Sequence, residues 1–310
     1  MRYLITGAGQ IGTQLALDLV AADHEAVVLR RGNTPVQGAR TQMGDAGNPA
    51  TVRAAAEGVD AIFHCIHAAY SAKTWLRELP HREAAVMDIA AELDVPVVFP
   101  ESVYAFGRGA QHLSEHSPLA PVSPLGRVRA QLLEARAAHR ARTASVVASD
   151  LLGPTSTSNG SVVLGTLLVP ASRGARAWAL GDTNAPHAIT YTPDLTRAML
   201  AAVSLAKQGG VTLLAPTAPA RSQRQVVADA AAAARCVNAG ISRVPTAAFA
   251  LGAPFSATMR ELFHQRYLWN AASELLPGLL TTELGLLPTP WERVLEEWAR
   301  SLKLERAARP

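Results

Sequence analysis

Cysteine is scarce in this sequence, and Cys65 and Cys236 are the only two among 310 residues. Because Cys65 lies in an apolar run that predicts a buried strand, a disulfide between the two is not expected, and the sequence favours a reducing compartment. Long apolar runs are also missing, since the longest, residues 162–169, is too short to cross a bilayer. No secretory signal precedes the first predicted strand. We therefore expect a soluble, cytoplasmic protein without a membrane partner.

Clusters of like charge are absent as well. The formal net charge is +4, but the basic residues are scattered and form no block, which argues against nucleic acid as a partner. His64 and His67 have a spacing that metal ligands use, yet no third ligand follows them. We therefore expect no metal site and assign both histidines a structural or pocket-lining role. With 49% hydrophobic and 17% charged residues, the chain is expected to be globular.

A glycine-rich turn near the N terminus carries the clearest functional pattern. Residues 3–5 predict a buried strand, and Gly7, Gly9 and Gly12 follow it ahead of a helical pattern. This context is typical of a dinucleotide-binding turn. The first glycine permits the sharp turn, the second lets a pyrophosphate approach the backbone, and the third lets helix and strand pack closely. The N–H groups at the helix start would face the phosphates. The predicted cofactor contacts here are Gly7, Gly9, Gln10, Ile11 and Gly12.

The charge at the end of the second predicted strand indicates which nicotinamide cofactor binds. An NAD site carries an acidic residue about 20 residues after the glycines, where it binds the ribose 2′-hydroxyl. This sequence has Arg30 and Arg31 there, and a guanidinium matches a 2′-phosphate. We therefore expect NADPH and leave NADH open. Further along, Asp45 is placed to accept a hydrogen bond from the adenine amino group, Ala46 follows it, and Cys65 ends the strand expected beneath the cofactor.

Six short motifs occur in the order and spacing of one family. They lie at residues 6–12, 44–45, 59–65, 102–107, 153–154 and 191–194. On these motifs the chain resembles the extended short-chain dehydrogenases/reductases, in their epimerase/dehydratase branch. The resemblance implies an α/β fold with a doubly wound, seven-stranded parallel Rossmann sheet and a smaller, mainly helical C-terminal lobe that binds the substrate. Residues 1–151 and 187–215 would form the NADP-binding domain, and residues 152–186 and 216–310 the substrate lobe.

The family's catalytic residues are only partly present. Its serine matches Ser102, but its tyrosine and the lysine four residues later correspond to Leu125 and Arg129. In the family the tyrosine exchanges a proton with the substrate oxygen, helped by the lysine charge. Leucine cannot do this, and arginine does not give up its proton in proteins. Arg129 can still donate hydrogen bonds to the nicotinamide ribose, and the resemblance adds Gly153 and Pro154 as cofactor contacts. We expect the cofactor site to survive without the ordinary proton relay.

Three functions remain open, and the first is an NADPH-dependent ketoreductase. Orientation of the reactants would supply much of the rate, Ser102 would bind the developing oxyanion, and a substrate hydroxyl or water would give the proton. Tyr104, two residues after Ser102, is the substitute acid to consider, although packing is its favoured role. In lacking the tyrosine the chain is similar to ketoreductases of aromatic polyketide biosynthesis. That similarity implies a polycyclic aromatic, angucyclinone-type ketone as substrate, in antibiotic biosynthesis.

The other two functions follow from the family or from the missing residues. A nucleotide-sugar epimerase or dehydratase needs a base that Leu125 cannot provide, although five arginines could meet a diphosphate. A regulatory protein would bind NADP(H) without turnover, and the loss of the tyrosine and lysine fits it. The sequence leaves a monomer or a homodimer open. The five arginines are Arg221, Arg224, Arg243, Arg260 and Arg266.

Overall fold

Strands alternate with helices through the first half of the chain. The computed structural model describes residues 1–307, except for the side chains of Ala250 and residues 303–307. A 3-10 helical segment, Val103–His112, follows the fifth strand. The strands and helices of this half are β1 (Arg2–Thr6), α1 (Gln10–Ala21), β2 (Glu25–Arg30), β3 (Arg40–Met43), α2 (Pro49–Ala55), β4 (Ala61–His64), α3 (Ala72–Glu92), β5 (Val97–Ser102), α4 (Pro124–Ala138) and β6 (Thr143–Ala148).

The second half is mainly helical, with short strands between the helices. A π-helical turn, Val163–Leu168, leads into the first of these helices. The elements are β7 (Asp150–Leu152), α5 (Val169–Ala171), β8 (Ala177–Ala179), β9 (Pro186–His187), β10 (Ile189–Tyr191), α6 (Thr192–Ala202), β11 (Thr212–Leu214), β12 (Arg221–Ser222), α7 (Gln223–Ala233), β13 (Ile241–Arg243), α8 (Thr246–Gly252), α9 (Ala257–Gln265), α10 (Leu279–Thr282) and α11 (Trp291–Ala307).

Seven strands form one parallel sheet in the order β11-β6-β5-β4-β1-β2-β3. This confirms the predicted doubly wound Rossmann fold. The chain builds outward from β1 to β3 and then crosses back to place β4 on the other side of β1. In open parallel sheets, ligands bind beyond the carboxyl ends of the strands at such a reversal. Helices cover both faces, which is why the central strands are almost continuously buried.

Local capping decides where α4 begins. Ser123 precedes the helix and its hydroxyl accepts the N–H of Gly126 at 3.0 Å, while Pro124 takes the first helical position. A serine cap followed by proline is a strong helix start. The helix therefore begins three residues before the predicted start at Arg127, because the Ser-Pro pair belongs to the helix and not to the preceding loop. As a result, Leu125 and Arg129 both lie in the first turns of α4.

The predicted sixth strand, residues 145–151, is wrong in one respect that matters for the site. It divides into β6 and β7 at Ser149, whose N–H donates to the Thr190 hydroxyl at 3.0 Å. β6 stays in the main sheet, whereas β7 pairs in parallel with β10. The break turns Asp150 away from the sheet and towards the helical C-terminal part. No helix within residues 1–307 is long and apolar enough to span a membrane.

Candidate active site

The turn between β1 and α1 meets the three requirements of a dinucleotide-binding turn. Gly7 has φ +92°, which favours glycine. A Cβ on Gly12 would lie 2.0 Å from the carbonyl oxygen of Gly7, so only glycine lets the helix approach the strand this closely. Around Gly9 no heavy atom lies within 4 Å of a built Cβ. The turn is therefore tight, closely packed and open on its outer side, as the sequence predicts.

The start of α1 has no side-chain cap, and it lies against a loop from the second half of the chain. Gly9 precedes the helix and offers no side chain to cap its first N–H groups. The main-chain oxygen of Gln10 accepts a hydrogen bond from the Thr155 hydroxyl at 2.7 Å, and the Gln10 amide lies 3.4 Å from the Gly160 oxygen. The loop that begins at Gly153 and Pro154 thus reaches the predicted pyrophosphate position. Ile11, also a predicted contact, packs against the core beneath the turn.

The predicted adenosine contacts cluster at the carboxyl ends of β2 and β3. The Arg30 guanidinium donates to the Thr34 carbonyl at 2.8 Å, whereas Arg31 is exposed. Asp45 keeps its side chain half exposed, with one carboxylate oxygen accepting the N–H of Gly47 at 2.9 Å. Ala46 is buried. Next to Asp45 is a cavity of about 340 Å³, lined by Asp45, Gly47, Asn48, Arg77, Glu78, His81 and Arg82.

The residues of this edge fit a nicotinamide dinucleotide. The helix start is uncapped, the backbone at Gly9 is open to a pyrophosphate, and Cys65 is buried at the end of β4, next to Gly12. Burial raises the pKa of the Cys65 thiol to about 12, so it is a neutral packing group there. Arg129 is 7% exposed and its Nε has no hydrogen-bond partner among the described residues. This Nε faces a Glu101 carboxylate oxygen only at 3.5 Å, so the guanidinium keeps a donor that a nicotinamide ribose would satisfy.

A buried ionic network lies directly behind Ser102. Glu101 accepts the Ser102 N–H at 2.7 Å, and the Ser102 hydroxyl lies 3.4 Å from the same carboxylate oxygen. Arg136 donates to the other Glu101 oxygen at 2.9 Å and binds both oxygens of Glu83 at 2.7 Å. Burial alone would lower the pKa of Arg136, but the two carboxylates raise it above its ordinary value. The network fixes the backbone at Ser102.

Arg129 is held in place from two sides. Its Nε lies 3.5 Å from Glu101, and its guanidinium carbon lies 4.6 Å from the centroid of the Trp75 ring. The charge at the family's lysine position is therefore retained, but it is partly balanced by a buried carboxylate. Sequence reasoning missed Glu101, Glu83 and Arg136 because nothing in their spacing marks them as partners.

Leu125 has no exposed surface, at the position where the resemblance implies a proton-exchanging tyrosine. It belongs to an apolar cluster with Trp75, Leu79, Val128 and Leu132. A side chain in this cluster cannot exchange protons with a substrate. The structure thus places an apolar packing residue at the position where the resemblance implies proton transfer.

Tyr104 lies two residues beyond Ser102 and forms part of a phenol pair. Its hydroxyl is 3.1 Å from that of Tyr70, and its ring stacks on Trp75 at a centroid distance of 6.4 Å. Burial is the main reason that the pKa of Tyr104 is raised well above its ordinary value, so the phenol stays neutral. A neutral phenol can donate a hydrogen bond. The structure therefore brings Tyr104 close to Ser102, while its stacking supports the packing role that the sequence favours.

His64 and His67 have separate surroundings. His64 is buried, with its Nδ1 2.8 Å from the Thr6 hydroxyl, and burial lowers its pKa to about 3, so the ring is neutral. The His67 ring stands edge-on to Trp75, and its Nδ1 lies 2.7 Å from the Ala68 oxygen. Among the side chains that the structure describes, no three of His, Cys, Asp or Glu gather closely enough to hold a metal ion.

The structure also reveals a His–Asp pair that sequence reasoning missed. Nε2 of His187 lies 2.5 Å from a carboxylate oxygen of Asp150. The pair forms because Asp150 stands opposite Ile189 in the β7–β10 ladder, and His187 lies two residues before Ile189. The two residues are 37 positions apart, and the register that joins them depends on the break at Ser149. No sequence pattern identifies it.

Most of the arginines suggested for a diphosphate have protein partners. Arg221 pairs with Asp229 and Glu292 at 3.4 and 3.0 Å. The remaining hydrogen bonds of this set go to uncharged groups. Arg224 binds Asn184 and Thr183, Arg243 binds Asn270, Arg266 donates to the Phe263 carbonyl, and Arg260 is exposed.

Comparisons with known proteins agree with this fold. A dTDP-glucose 4,6-dehydratase from Streptomyces venezuelae, solved with NAD, is 19% identical, with 99% of this chain and 98% of that chain covered and a TM-score of 0.77. A UDP-glucose 4-epimerase from Thermotoga maritima is 14% identical, with 99% and 100% covered and a TM-score of 0.74. A UDP-N-acetylglucosamine 4-epimerase from Bacillus cereus is 11% identical, with 98% and 99% covered and a TM-score of 0.75.

Sequence comparison places the chain in a family. No curated protein matches it. At the identities above, the solved structures show the fold alone. The model of the NAD dependent epimerase/dehydratase family matches residues 3–214, which is more than half of the chain. The chain therefore belongs to the NAD-dependent epimerase/dehydratase family, and a nicotinamide dinucleotide is its cofactor.

Proposed function

We propose that this protein is an NADPH-dependent ketoreductase that reduces a ketone of a polycyclic aromatic, angucyclinone-type natural product. The observation that carries the proposal is Leu125, which has no exposed surface and sits in an apolar cluster, in a chain whose dinucleotide turn is intact. Reactions that begin by removing a hydroxyl proton need a base at this position. Reduction of a ketone that already carries an acidic hydroxyl nearby depends on it less.

The residues around the proposed carbonyl position have distinct roles. Ser102 donates a hydrogen bond to the oxygen as negative charge develops there. Its hydroxyl is free to turn towards the substrate, because the contact with Glu101 is long at 3.4 Å. Arg129 donates to the nicotinamide ribose and keeps the cofactor oriented, and the bound cofactor supplies the hydride. The proton sources that the sequence leaves are a substrate hydroxyl and water. Losing a general acid costs about a hundredfold to ten-thousandfold, which slows the reaction without preventing it.

The alternative of a nucleotide-sugar epimerase or dehydratase rests on the family and on its solved members. It requires a proton acceptor for a sugar hydroxyl and cations for a diphosphate. Leu125 cannot accept a proton, and the Arg221 guanidinium is shared between Asp229 and Glu292. Arg129 faces Glu101. These contacts favour an uncharged substrate. A regulatory protein that binds NADP(H) without turnover is the remaining alternative.

Oxidation of NADPH and of NADH, followed at the nicotinamide absorbance, separates the three functions. The purified protein is mixed with a panel of polycyclic aromatic ketones and, separately, with dTDP-glucose and UDP-glucose. We expect NADPH to be consumed with the ketones and NADH to be used more slowly. Turnover of the sugar nucleotides alone would support the epimerase or dehydratase. Tight NADPH binding without consumption in any mixture would support the regulatory protein.

Arg31→Ala tests the expected preference for NADPH. Arg31 is exposed at the end of β2, whereas Arg30 is already bound to Thr34. A charged hydrogen bond to the 2′-phosphate contributes about 1.5 to 3 kcal/mol, so NADPH affinity should fall about tenfold or more. NADH affinity should not change. Fluorescence titration measures both. Arg40→Ala is the matched control, because this exposed arginine starts β3 at the amino ends of the strands, whereas Arg31 follows the carboxyl end of β2. Equal losses for both cofactors would contradict the role.

A further inference from the structure

Asp150 and His187 form an ionisable pair on the substrate side of the sheet, in addition to Tyr70 and Tyr104. In the β5–β6 ladder Ser102 stands opposite Ala148. Tyr104 and Asp150 each lie two residues beyond that pair, so both are past the carboxyl edge of the sheet, where Rossmann-type enzymes bind their ligands. Asp150 is also the partner of His187. The Asp150–His187 pair therefore lies at the same end of the sheet as Ser102, but not on the strand that carries Ser102.

The pair is built into the fold and is not a surface contact. Nε2 of His187 lies 2.5 Å from a carboxylate oxygen of Asp150. The ring lies parallel to the Trp269 indole, with centroids 3.7 Å apart, and the residue is 3% exposed. β9 holds its backbone in a ladder with β12, and a bridge to Ser273 holds it from the other side. The imidazole therefore has one orientation, with its Nε2 facing Asp150.

Asp150 retains access to solvent although its partner is buried. Its side chain is 25% exposed, against 4% for that of His187. Nδ1 of His187 is buried and has no hydrogen-bond partner among the described residues. A ring whose Nε2–H donates to one carboxylate oxygen fixes the orientation of the carboxyl group and leaves its other oxygen available to a second partner.

The groups around the pair do not neutralise it. Tyr70 and Tyr104 face Asp150, and after burial its negative charge is a further reason that both phenol pKa values are raised. Arg221 stands opposite His187 in the β9–β12 ladder, but its guanidinium turns to Asp229 and Glu292. Glu261, on the far side of Tyr70, accepts the N–H of Ala72.

We propose that Asp150 passes the proton to the oxygen of the reduced substrate and that His187 is its positioning partner. The assignment rests on the proposed ketoreductase function and adds a proton source within the protein to the substrate hydroxyl and water. The carbonyl carbon accepts a hydride with its electron pair, and the π electrons of the carbonyl become a lone pair on oxygen. The proton of the Asp150 carboxylic acid moves to that oxygen as the acid's own O–H bond breaks. The pair is left as a carboxylate that accepts the Nε2–H of a neutral imidazole.

The test compares two ketones in the native protein and in Asp150→Asn. The ketones are a tetralone with a hydroxyl group peri to the carbonyl and the same tetralone without it. We expect Asp150→Asn to lower kcat on both by about a hundredfold or more. KM, NADPH affinity and the unfolding temperature should stay near native values. The ionisation in the native pH profile of kcat should disappear. Asp88→Asn is the matched control, because Asp88 forms a His–Asp pair with His139 at 3.3 Å, on α3 and away from the cleft.

His187→Gln supplies a second measurement. It keeps a donor for Asp150 but removes the ring that orients the carboxyl group, so kcat should fall less than in Asp150→Asn while KM stays near its native value. Native rates for Asp150→Asn on both ketones would overturn the assignment and leave the substrate or water as the source. If Asp150→Asn lowers NADPH affinity as much as it lowers kcat, Asp150 has a structural role, and this result would also overturn the assignment. Failure of the native protein to reduce either ketone would instead contradict the ketoreductase function.

Discussion

Gly9→Ala is expected to lower NADPH affinity about a hundredfold without changing the unfolding temperature. The backbone at Gly9 has φ −81° and ψ −165°, which alanine adopts freely, and no atom lies within 4 Å of the added methyl group. The methyl group would fill the space through which a pyrophosphate reaches the N–H groups of α1. Charged hydrogen bonds of this kind contribute about 1.5 to 3 kcal/mol each. Fluorescence titration and thermal unfolding measure the two quantities.

Gly12→Ala is the matched variant. Its main effect should be on the free energy of unfolding, whereas the main effect of Gly9→Ala should be on NADPH affinity. Its methyl group would lie 2.0 Å from the Gly7 oxygen, so α1 must move away from β1. Overpacking of this kind costs about 1 to 3 kcal/mol or more in unfolding free energy. Urea titration should show the loss before any cofactor is added. Native affinity in Gly9→Ala would contradict the placement of the pyrophosphate at this turn.

Arg136→Met is expected to lower the free energy of unfolding by about 3 to 5 kcal/mol. Arg136 is 2% exposed, and it neutralises Glu83 and Glu101, which are 4% and 5% exposed. Without it, Glu83 loses its counter-charge and Glu101 keeps only Arg129, whose Nε lies 3.5 Å away. Both would take up protons more readily in the folded state, so the loss should shrink as the pH falls. Urea titrations at two pH values measure the effect.

Two controls separate the buried charge from the side-chain volume. Adding Glu83→Gln and Glu101→Gln to Arg136→Met removes the unpaired charges and should restore part of the stability. Arg142→Met removes an arginine whose partner Asp94 is 92% exposed, and it should change stability by less than about 0.5 kcal/mol. Equal losses in Arg136→Met and Arg142→Met would contradict a stabilising role for the network.

Local patterns explain what could be predicted from the sequence. Gly7, Gly9 and Gly12 can be recognised as a dinucleotide-binding turn from twelve residues alone, because a strand, a turn and a helix start follow one another there. The apolar runs of the parallel strands are equally local, so the seven-stranded sheet could be inferred from strand and helix alternation together with the family motifs. The same holds for the replacement at Leu125, which is visible by position relative to the family's motif.

Long-range register explains what could not be predicted. Asp150 and His187 meet only because β7 leaves the sheet and pairs with β10. Ser149 and Asp150 interrupt the apolar residues between 146 and 152, but two polar residues do not by themselves show that a strand leaves its sheet. In the same way, Arg136 reaches Glu83 across 53 residues, because α3 and α4 pack side by side. These contacts depend on tertiary packing, and a single sequence carries no separate trace of it.

The apolar surroundings of Leu125 limit which side chains this position can take. A phenol introduced there would displace neighbours such as Trp75 and Leu79 and would enter a cluster of apolar side chains. The charge that should assist it already belongs to Arg129, which is shared with Glu101. A proton relay at this position would therefore need coordinated replacements both in the apolar cluster and at the Arg129–Glu101 pair.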